Sequence, residues 1–397
     1  MKHAGAEINH ATAPWHDALE HVLRELARTA VVRDRAGGCA RHERQLLRDS
    51  GLLALSVPHD LGGWDADWRA TLDVVRRIAR VDSSLAHLFA FHHLQLATVR
   101  LFGRPEQWQP WIEESVLRRE FWGNALNPLD KGTRAEPDGN GGYWFTGSKR
   151  FCSGATDSDR LLASAFDAGG RLLIGVVPTP REGIAVLDDW DNIGQRQTDS
   201  GTVTFERVHI AREELLADPG PLSTPYACLR PLLAQSILAH IYLGIGEGAL
   251  AAAREMTLAS PRPWISSPAP SAREDLYVLA HYGDFWLALE GARALGERAA
   301  NALDSAWQRG PALTEDERGT VAIAVTAFKV AASRAGLEVA HRLFEVTGAR
   351  ATTAELALDR YWRNVRVHTL HDPLDYKVRE LGDWALNDRL PTPSFYS

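Results

Sequence analysis

The period of hydrophobic residues changes twice along this chain, and those two changes restrict its fold more than any single motif does. From about Trp15 to Glu120 apolar residues recur at helical spacing, as in the stripe Leu19, Val22, Leu23, Leu26, Ala27 and Ala30 of the run 17–35. Between Phe121 and about residue 216, short apolar runs alternate with turn signals. Asp138-Gly139-Asn140-Gly141-Gly142 precedes Tyr143-Trp144-Phe145-Thr146, and Ala168-Gly169-Gly170 precedes the run 171–177. From about Leu229 helical spacing returns, in runs at 229–258, 272–308, 315–347 and 355–372. The expectation is an α+β chain, mostly α. It has an N-terminal helical domain (1–120), a small antiparallel β-barrel or sandwich (121–228) and a C-terminal four-helix bundle (229–397).

Composition removes several function classes. A chain of 397 residues with 45% hydrophobic content can fill two or three domains. Its 44 basic and 51 acidic residues are interspersed, and no basic patch with interleaved aromatics marks a nucleic-acid surface. No apolar run reads as long enough to span a bilayer, and the start MKHAGAEINHATAPW has no signal-peptide core. Cys39, Cys152 and Cys228 are far apart, which excludes a CxxC redox or zinc motif, and no metal site is expected. These features point to a cytoplasmic protein with neither a nucleic-acid nor a membrane partner. Leu243-Gly244-Ile245-Gly246-Glu247-Gly248-Ala249 does not read as a dinucleotide loop: no strand precedes it, and small residues inside a helix serve close packing.

Two stretches carry chemistry. Ser83-Ser84-Leu85-Ala86-His87-Leu88-Phe89-Ala90-Phe91-His92-His93-Leu94 is apolar nearly all round and predicts a buried helix, in which His92 is either a satisfied core residue or a functional one. Arg360-Tyr361-Trp362-Arg363-Asn364-Val365-Arg366-Val367-His368-Thr369-Leu370-His371-Asp372-Pro373 crowds two imidazoles and a carboxylate at a helix end that Pro373 limits. Such a group suits proton transfer near neutral pH; paired charges in a helical interface are the competing explanation.

Three further segments, taken with the domain order, resemble the acyl-CoA dehydrogenase superfamily over nearly the whole chain. Thr146-Gly147-Ser148-Lys149-Arg150-Phe151-Cys152-Ser153-Gly154-Ala155 looks like the superfamily's segment beside the flavin ring. Residues 193–205, Ile193-Gly194-Gln195 to Phe205, resemble its middle-domain turn and strand. Phe344-Glu345-Val346-Thr347-Gly348-Ala349-Arg350 sits where its second flavin-binding glycine segment lies. The dehydrogenases' catalytic glutamate falls on His371-Asp372-Pro373-Leu374, and the ending instead looks like the flavin monooxygenase branch typified by dibenzothiophene monooxygenase.

That resemblance implies a two-component enzyme. Reduced FMN, with FAD as the alternative, comes from a separate flavin reductase, oxygen adds at flavin C4a, and the hydroperoxide oxygenates a sulfur-containing or aromatic small molecule. It implies His371, Ser153, His92 and His368 as catalytic. His368, three residues before His371 on one helical face, would orient it, while Asp372 would hold the imidazole tautomer or cap the helix. Asn124, Asn127, Phe151, Ser153, Trp190 and Gly348 would contact the flavin, with Arg262 and Arg350 at its phosphate across a subunit interface in a homotetramer. The alternatives are a dehydrogenase using Asp372, an amine N-hydroxylase on the same scaffold, and a non-catalytic flavin-binding or scaffold protein.

Overall fold

A computed structural model describes residues 13–260 and 262–397; the rest, including most of the start read for a signal peptide, lies outside the described residues. The N-terminal part holds α1 (His16–Ala36), α2 (Arg41–Ser50), α3 (Trp68–Ala79), α4 (Ser83–Phe102) and α5 (Pro105–Arg118). Helix α1 buries Leu19, Val22, Leu26 and Ala30 but leaves Ala27 exposed. Capping fixes where α3 and α4 begin. The Asp67 carboxylate accepts from the Ala70 N–H at 2.7 Å and that of Asp82 from the Leu85 N–H at 3.0 Å. Helix α4 is buried along nearly its whole length, as its all-round apolarity requires.

Seven strands follow: β1 (Trp122–Ala125), β2 (Thr133–Pro137), β3 (Tyr143–Lys149), β4 (Arg160–Phe166), β5 (Leu172–Pro178), β6 (Ile184–Val186) and β7 (Val203–Ile210). They form one curled sheet of order β1-β4-β2-β3-β7-β6, with β5 on β4. The expected antiparallel pattern holds for four pairs, but β1 and β2 both pair β4 in parallel. The reason is connectivity: the chain leaves β1, makes the β2–β3 hairpin and returns through 150–159, a connection long enough for a parallel partner. That return carries Ser153.

The C-terminal part holds α6 (Leu229–Ala259), α7 (Leu276–Arg309), α8 (Glu315–Thr347), α9 (Asp359–His368) and α10 (Leu374–Asn387). Helix α7 starts later than the sequence indicated because Asp275 caps it, accepting from the N–H groups of Tyr277 (2.9 Å) and Val278 (3.1 Å). The expected fourth helix, 355–372, is shorter. It ends at His368, residues 369–372 turn, and Pro373 precedes α10, which the sequence reading did not foresee. His371 therefore follows the helix and does not share a helical face with His368.

The glycines of α6 act as the sequence indicated. A Cβ at Gly244 would lie 2.4 Å from the Arg76 carbonyl oxygen, and one at Gly248 would lie 2.3 Å from that of Arg80, so α3 packs directly on the α6 backbone. Contrary to expectation, α6 and α8 are each long and apolar enough to cross a membrane. Most of each apolar window, 83% and 72%, is buried inside the protein, where both serve as core helices. One apolar core joins the N-terminal helices to the bundle, and a second lies within the sheet.

Candidate active site

Ser153 sits in the return from β3 to β4, where the two core systems meet. Its carbonyl accepts from the Asn124 N–H (3.0 Å), and the Gly154 N–H donates to the Thr198 carbonyl (3.1 Å), so two neighbouring segments fix the turn. The segment 194–200 is itself anchored. The Gln195 N–H donates to Asn364 Oδ1 at 2.7 Å, Asp199 pairs with the fully buried Arg44, and a Cβ at Gly194 would meet the Arg363 carbonyl oxygen at 2.2 Å. The result is a buried line of polar groups. His87 Nε2 lies 2.9 Å from Ser153 Oγ, Ser153 Oγ lies 2.7 Å from Ser200 Oγ, and the Ser200 hydroxyl donates to Thr198 Oγ1 at 2.8 Å.

His87, on α4, stacks on Phe91 with ring centroids 4.0 Å apart and meets His368 edge-on at 4.8 Å. His368 ends α9; its carbonyl accepts from the Tyr242 hydroxyl of α6 at 2.8 Å. Among the described residues, both ring nitrogens of His368 and Nδ1 of His87 are buried without a hydrogen-bond partner. Burial, with a smaller contribution from His371, pushes His87 down to about 3. Burial first, then the neighbouring imidazoles, holds His368 well below its ordinary value. At neutral pH both rings are uncharged, each with one nitrogen that donates and one that accepts.

His371 stands at the outer edge of this group. Its Nδ1 is 3.0 Å from Asp372 Oδ1, and Asp372 is also bonded by Lys329 of α8, which reaches Gln235 of α6 as well. Burial alone would raise Asp372, but the His371 hydrogen bond and the Lys329 charge outweigh it and hold the carboxyl below the usual carboxylate range. Burial pushes Lys329 down to about 8 against the opposing pull of Asp372, so the pair is charged at pH 7. With Nδ1 turned to a carboxylate, His371 keeps Nε2 as the nitrogen that can take a proton. The Tyr396 ring lies 5.7 Å from the His371 ring.

Of the residues the sequence singled out, the fold gathers Ser153, His368, His371 and Asp372. It does not bring His92 to them. Its Nε2 lies 2.8 Å from the Leu53 carbonyl oxygen and its Nδ1 accepts from the Trp122 N–H at 3.1 Å, so both ring nitrogens are engaged by backbone. The α4 histidine beside Ser153 is His87, which the sequence reading passed over. The buried Asn124 accepts from the Gln95 amide (3.1 Å), and Asn127 accepts from the Leu129 N–H (3.2 Å), a turn contact.

Phe151 is 60% exposed, with Trp190 edge-on to it at 6.1 Å; the Trp190 indole N–H donates to the Gln195 carbonyl at 2.8 Å. Arg262, Gly348 and Arg350 are exposed at the far end of the bundle, where Thr257 of α6 bonds the Val346 carbonyl of α8. Among the described residues no group of three or more His, Cys, Asp or Glu is placed to hold a metal.

Both helical parts match family models: "Acyl-CoA dehydrogenase, N-terminal domain" over residues 15–116 and "Acyl-CoA dehydrogenase, C-terminal domain" over residues 236–376. The chain is 57% identical to the probable FMNH2-dependent monooxygenase SfnC of Pseudomonas putida, over 99% of this chain and 100% of that one. It is 42% identical to the dibenzothiophene monooxygenase of Mycolicibacterium goodii, over 95% of each. Among solved structures, methanesulfinate monooxygenase MsuC of Pseudomonas fluorescens is similar at 60% identity with a TM-score of 0.95, covering 97% of this chain and 99% of that one.

Proposed function

The chain belongs to the acyl-CoA dehydrogenase superfamily, in its branch of flavin-dependent monooxygenases, and from that premise we propose how its own residues divide the work. The protein is an oxidoreductase that takes FMNH2 and O2 and places one oxygen atom on a sulfur-containing or aromatic small molecule. The balance is substrate plus O2 plus FMNH2 giving oxygenated product, water and FMN. Reduced FMN supplies the two electrons and the site where oxygen is activated.

The residues fit such a group. The observation that carries the reading is the meeting of His87, Ser153 and His368, with three ring nitrogens buried and unpartnered among the described residues. Buried polar atoms without partners are costly in a protein that offers them nothing, and a flavin edge offers both donors and acceptors. Ser153 and His87 would hold the ring edge, with Asn124 of β1 and Asn127 just past that strand lying along it, and Phe151 and Trp190 beside it. His368, neutral and buried, donates or accepts without bringing a charge into a water-poor site. His371 moves the proton, because its Nε2 has no partner among the described residues and Asp372 with Lys329 fixes its other side. Asp372 itself, held low by His371 and Lys329, is a poor base for abstracting an α-proton, which disfavours the dehydrogenase alternative.

A flavin reductase and a small-molecule substrate are the partners. We further assign a cytoplasmic homotetramer in which the segments 1–120, 121–228 and 229–397 enclose the site. Arg262 and Arg350 of one subunit then serve the FMN phosphate of another, with Gly348 in the segment that binds its flavin. Exposed Trp264, Ile265, Leu276 and Tyr277 around the start of α7 support that association. The test is the reaction under 18O2 with FMNH2 from a separate reductase: one labelled atom in the product supports the reading, and label only in peroxide and water overturns it.

A further inference from the structure

Gln95 of α4 and Asn124 of β1 are both buried, and their carboxamides meet where the helix packs on the strand. Asn124 Oδ1 accepts from Gln95 Nε2 at 3.1 Å and from the Leu126 N–H at 3.3 Å. The second contact fixes which way round both amides stand. A backbone N–H can only donate, so the Asn124 atom facing Leu126 is the oxygen, and Gln95 must present its NH2 group to that oxygen. The Asn124 acceptor is thus engaged twice within the protein. Among the described residues its NH2 group has only the Leu126 carbonyl at 3.5 Å, outside the usual range for an amide hydrogen bond. Asn124 is left with unused donors and no acceptor to offer.

Stability does not explain the glutamine. Helix α4 is buried and apolar nearly all round, and among the described residues Gln95 Oε1 is buried without a partner. A leucine would fill that volume without a stranded oxygen, whose burial is unfavourable. What Gln95 adds is orientation, and the residue it orients stands beside the reaction site. The Asn124 N–H donates to the Ser153 carbonyl at 3.0 Å. Gln95 lies two turns beyond His87 on the same helix, and His87 Nε2 is 2.9 Å from Ser153 Oγ. One helix therefore brings His87 to the serine and holds Asn124 next to it.

We infer that Gln95 is a positioning residue for flavin binding: it holds Asn124 with the oxygen turned inward, so that the Asn124 NH2 group donates to a carbonyl oxygen of the flavin ring. The inference rests on the monooxygenase reading above and deepens it. Reduced flavin carries a hydrogen on N5, which an NH2 group cannot accept, whereas its ring carbonyls accept in either oxidation state. Asn124 belongs with a carbonyl, and the N5 edge is left to Ser153 and the neutral His87, both of which can accept.

The experiment uses the full-length protein, with FMN and anaerobically reduced FMNH2 as probes. Gln95→Met keeps the volume but not the donor. It should weaken FMNH2 binding by about two- to tenfold, the range for one hydrogen bond, and shift the visible absorption bands of bound FMN. Asn124→Ala should do the same. Adding Gln95→Met to Asn124→Ala should change neither quantity further, because the two residues act through one contact. The Tm without flavin should not fall in Gln95→Met; Gln95→Leu replaces that variant if it does not fold. Wild-type affinity and band positions in Gln95→Met overturn the inference, as does a loss that adds in full to that of Asn124→Ala. A lower flavin-free Tm with unchanged bands identifies a merely structural role and also overturns it. Failure of the wild type to bind FMN sinks the monooxygenase reading itself, whereas FMN binding indifferent to Asn124→Ala sinks only this assignment.

Discussion

Lys329 of α8 donates to the carboxylate of Asp372, four residues past the end of α9, and so fixes the neighbour of His371 from inside the bundle. Both partners are nearly buried, at 2% and 10% side-chain exposure. Removing one member of such a pair strands the other charge, at a cost of about 3–5 kcal/mol. Lys329→Met is therefore expected to lower the free energy of unfolding by that order, read as a lower urea midpoint at unchanged slope. Combining it with Asp372→Leu should recover much of the loss, because two apolar groups replace the stranded ion. Equal midpoints for Lys329→Met and wild type would show that the pair contributes nothing.

Acid should destabilise the fold early. Burial lowers His87 to about 3, His92 and His240 to about 4, and His93 and His368 well below the ordinary value. For a basic group lowered on folding, the unfolded chain binds more protons than the native one between the native value and about 6.5. Stability therefore falls as pH drops below about 6.5, with a limiting slope of about 1.4 kcal/mol per pH unit for each histidine. Urea midpoints at pH 7, 6 and 5 should decline in that order; a flat series contradicts burial of neutral imidazoles.

Assembly and flavin binding should fail together. Light scattering is expected to give four chains of 43.8 kDa. A charge at Leu276 or Ile265, 77% and 91% exposed in the single chain, should dissociate them. Arg350→Ala should weaken FMN about tenfold or more, since a charge-assisted contact contributes about 1.5–3 kcal/mol. A monomer that binds FMN as tightly as the assembly contradicts the shared site.

The sequence carried the large divisions because hydrophobic period changes wherever helix gives way to strand, at Phe121 and again near Leu229. Ser153 was legible because its turn lies in a recognisable segment, and the α6 glycines because small residues inside a helix have few other uses. His87 was not. Helix α4 is apolar on every side, so periodicity ranks none of its histidines, and only the docking of the β3–β4 return decides which one faces the site. The polar residues His87, Gln95 and Thr98 on one face of that helix were the available signal. Lys329 offered another, a cation inside a long apolar run that must find a partner. Where α9 ends was hidden for a different reason: residues 369–372 contain no glycine or proline to stop a helix, but the turn before Pro373 breaks the hydrogen-bond ladder.

The account stands on His87, Ser153 and His368 forming the reaction site, with His92 outside it. The most direct measurement is product formed per FMNH2 supplied, together with hydrogen peroxide released, in His87→Ala, Ser153→Ala and His92→Gln. Each variant is compared at an equal concentration of folded, FMN-binding protein, because unbound FMNH2 reacts with oxygen in solution and releases peroxide by itself. His87→Ala and Ser153→Ala should lose product by about 10²-fold or more, the lower end for removing a positioned proton-transfer or donor group, with peroxide rising in its place. His92→Gln should keep the wild-type ratio among the molecules that fold. Wild-type coupling in His87→Ala and Ser153→Ala, with loss only in His92→Gln, would contradict the site proposed for this protein.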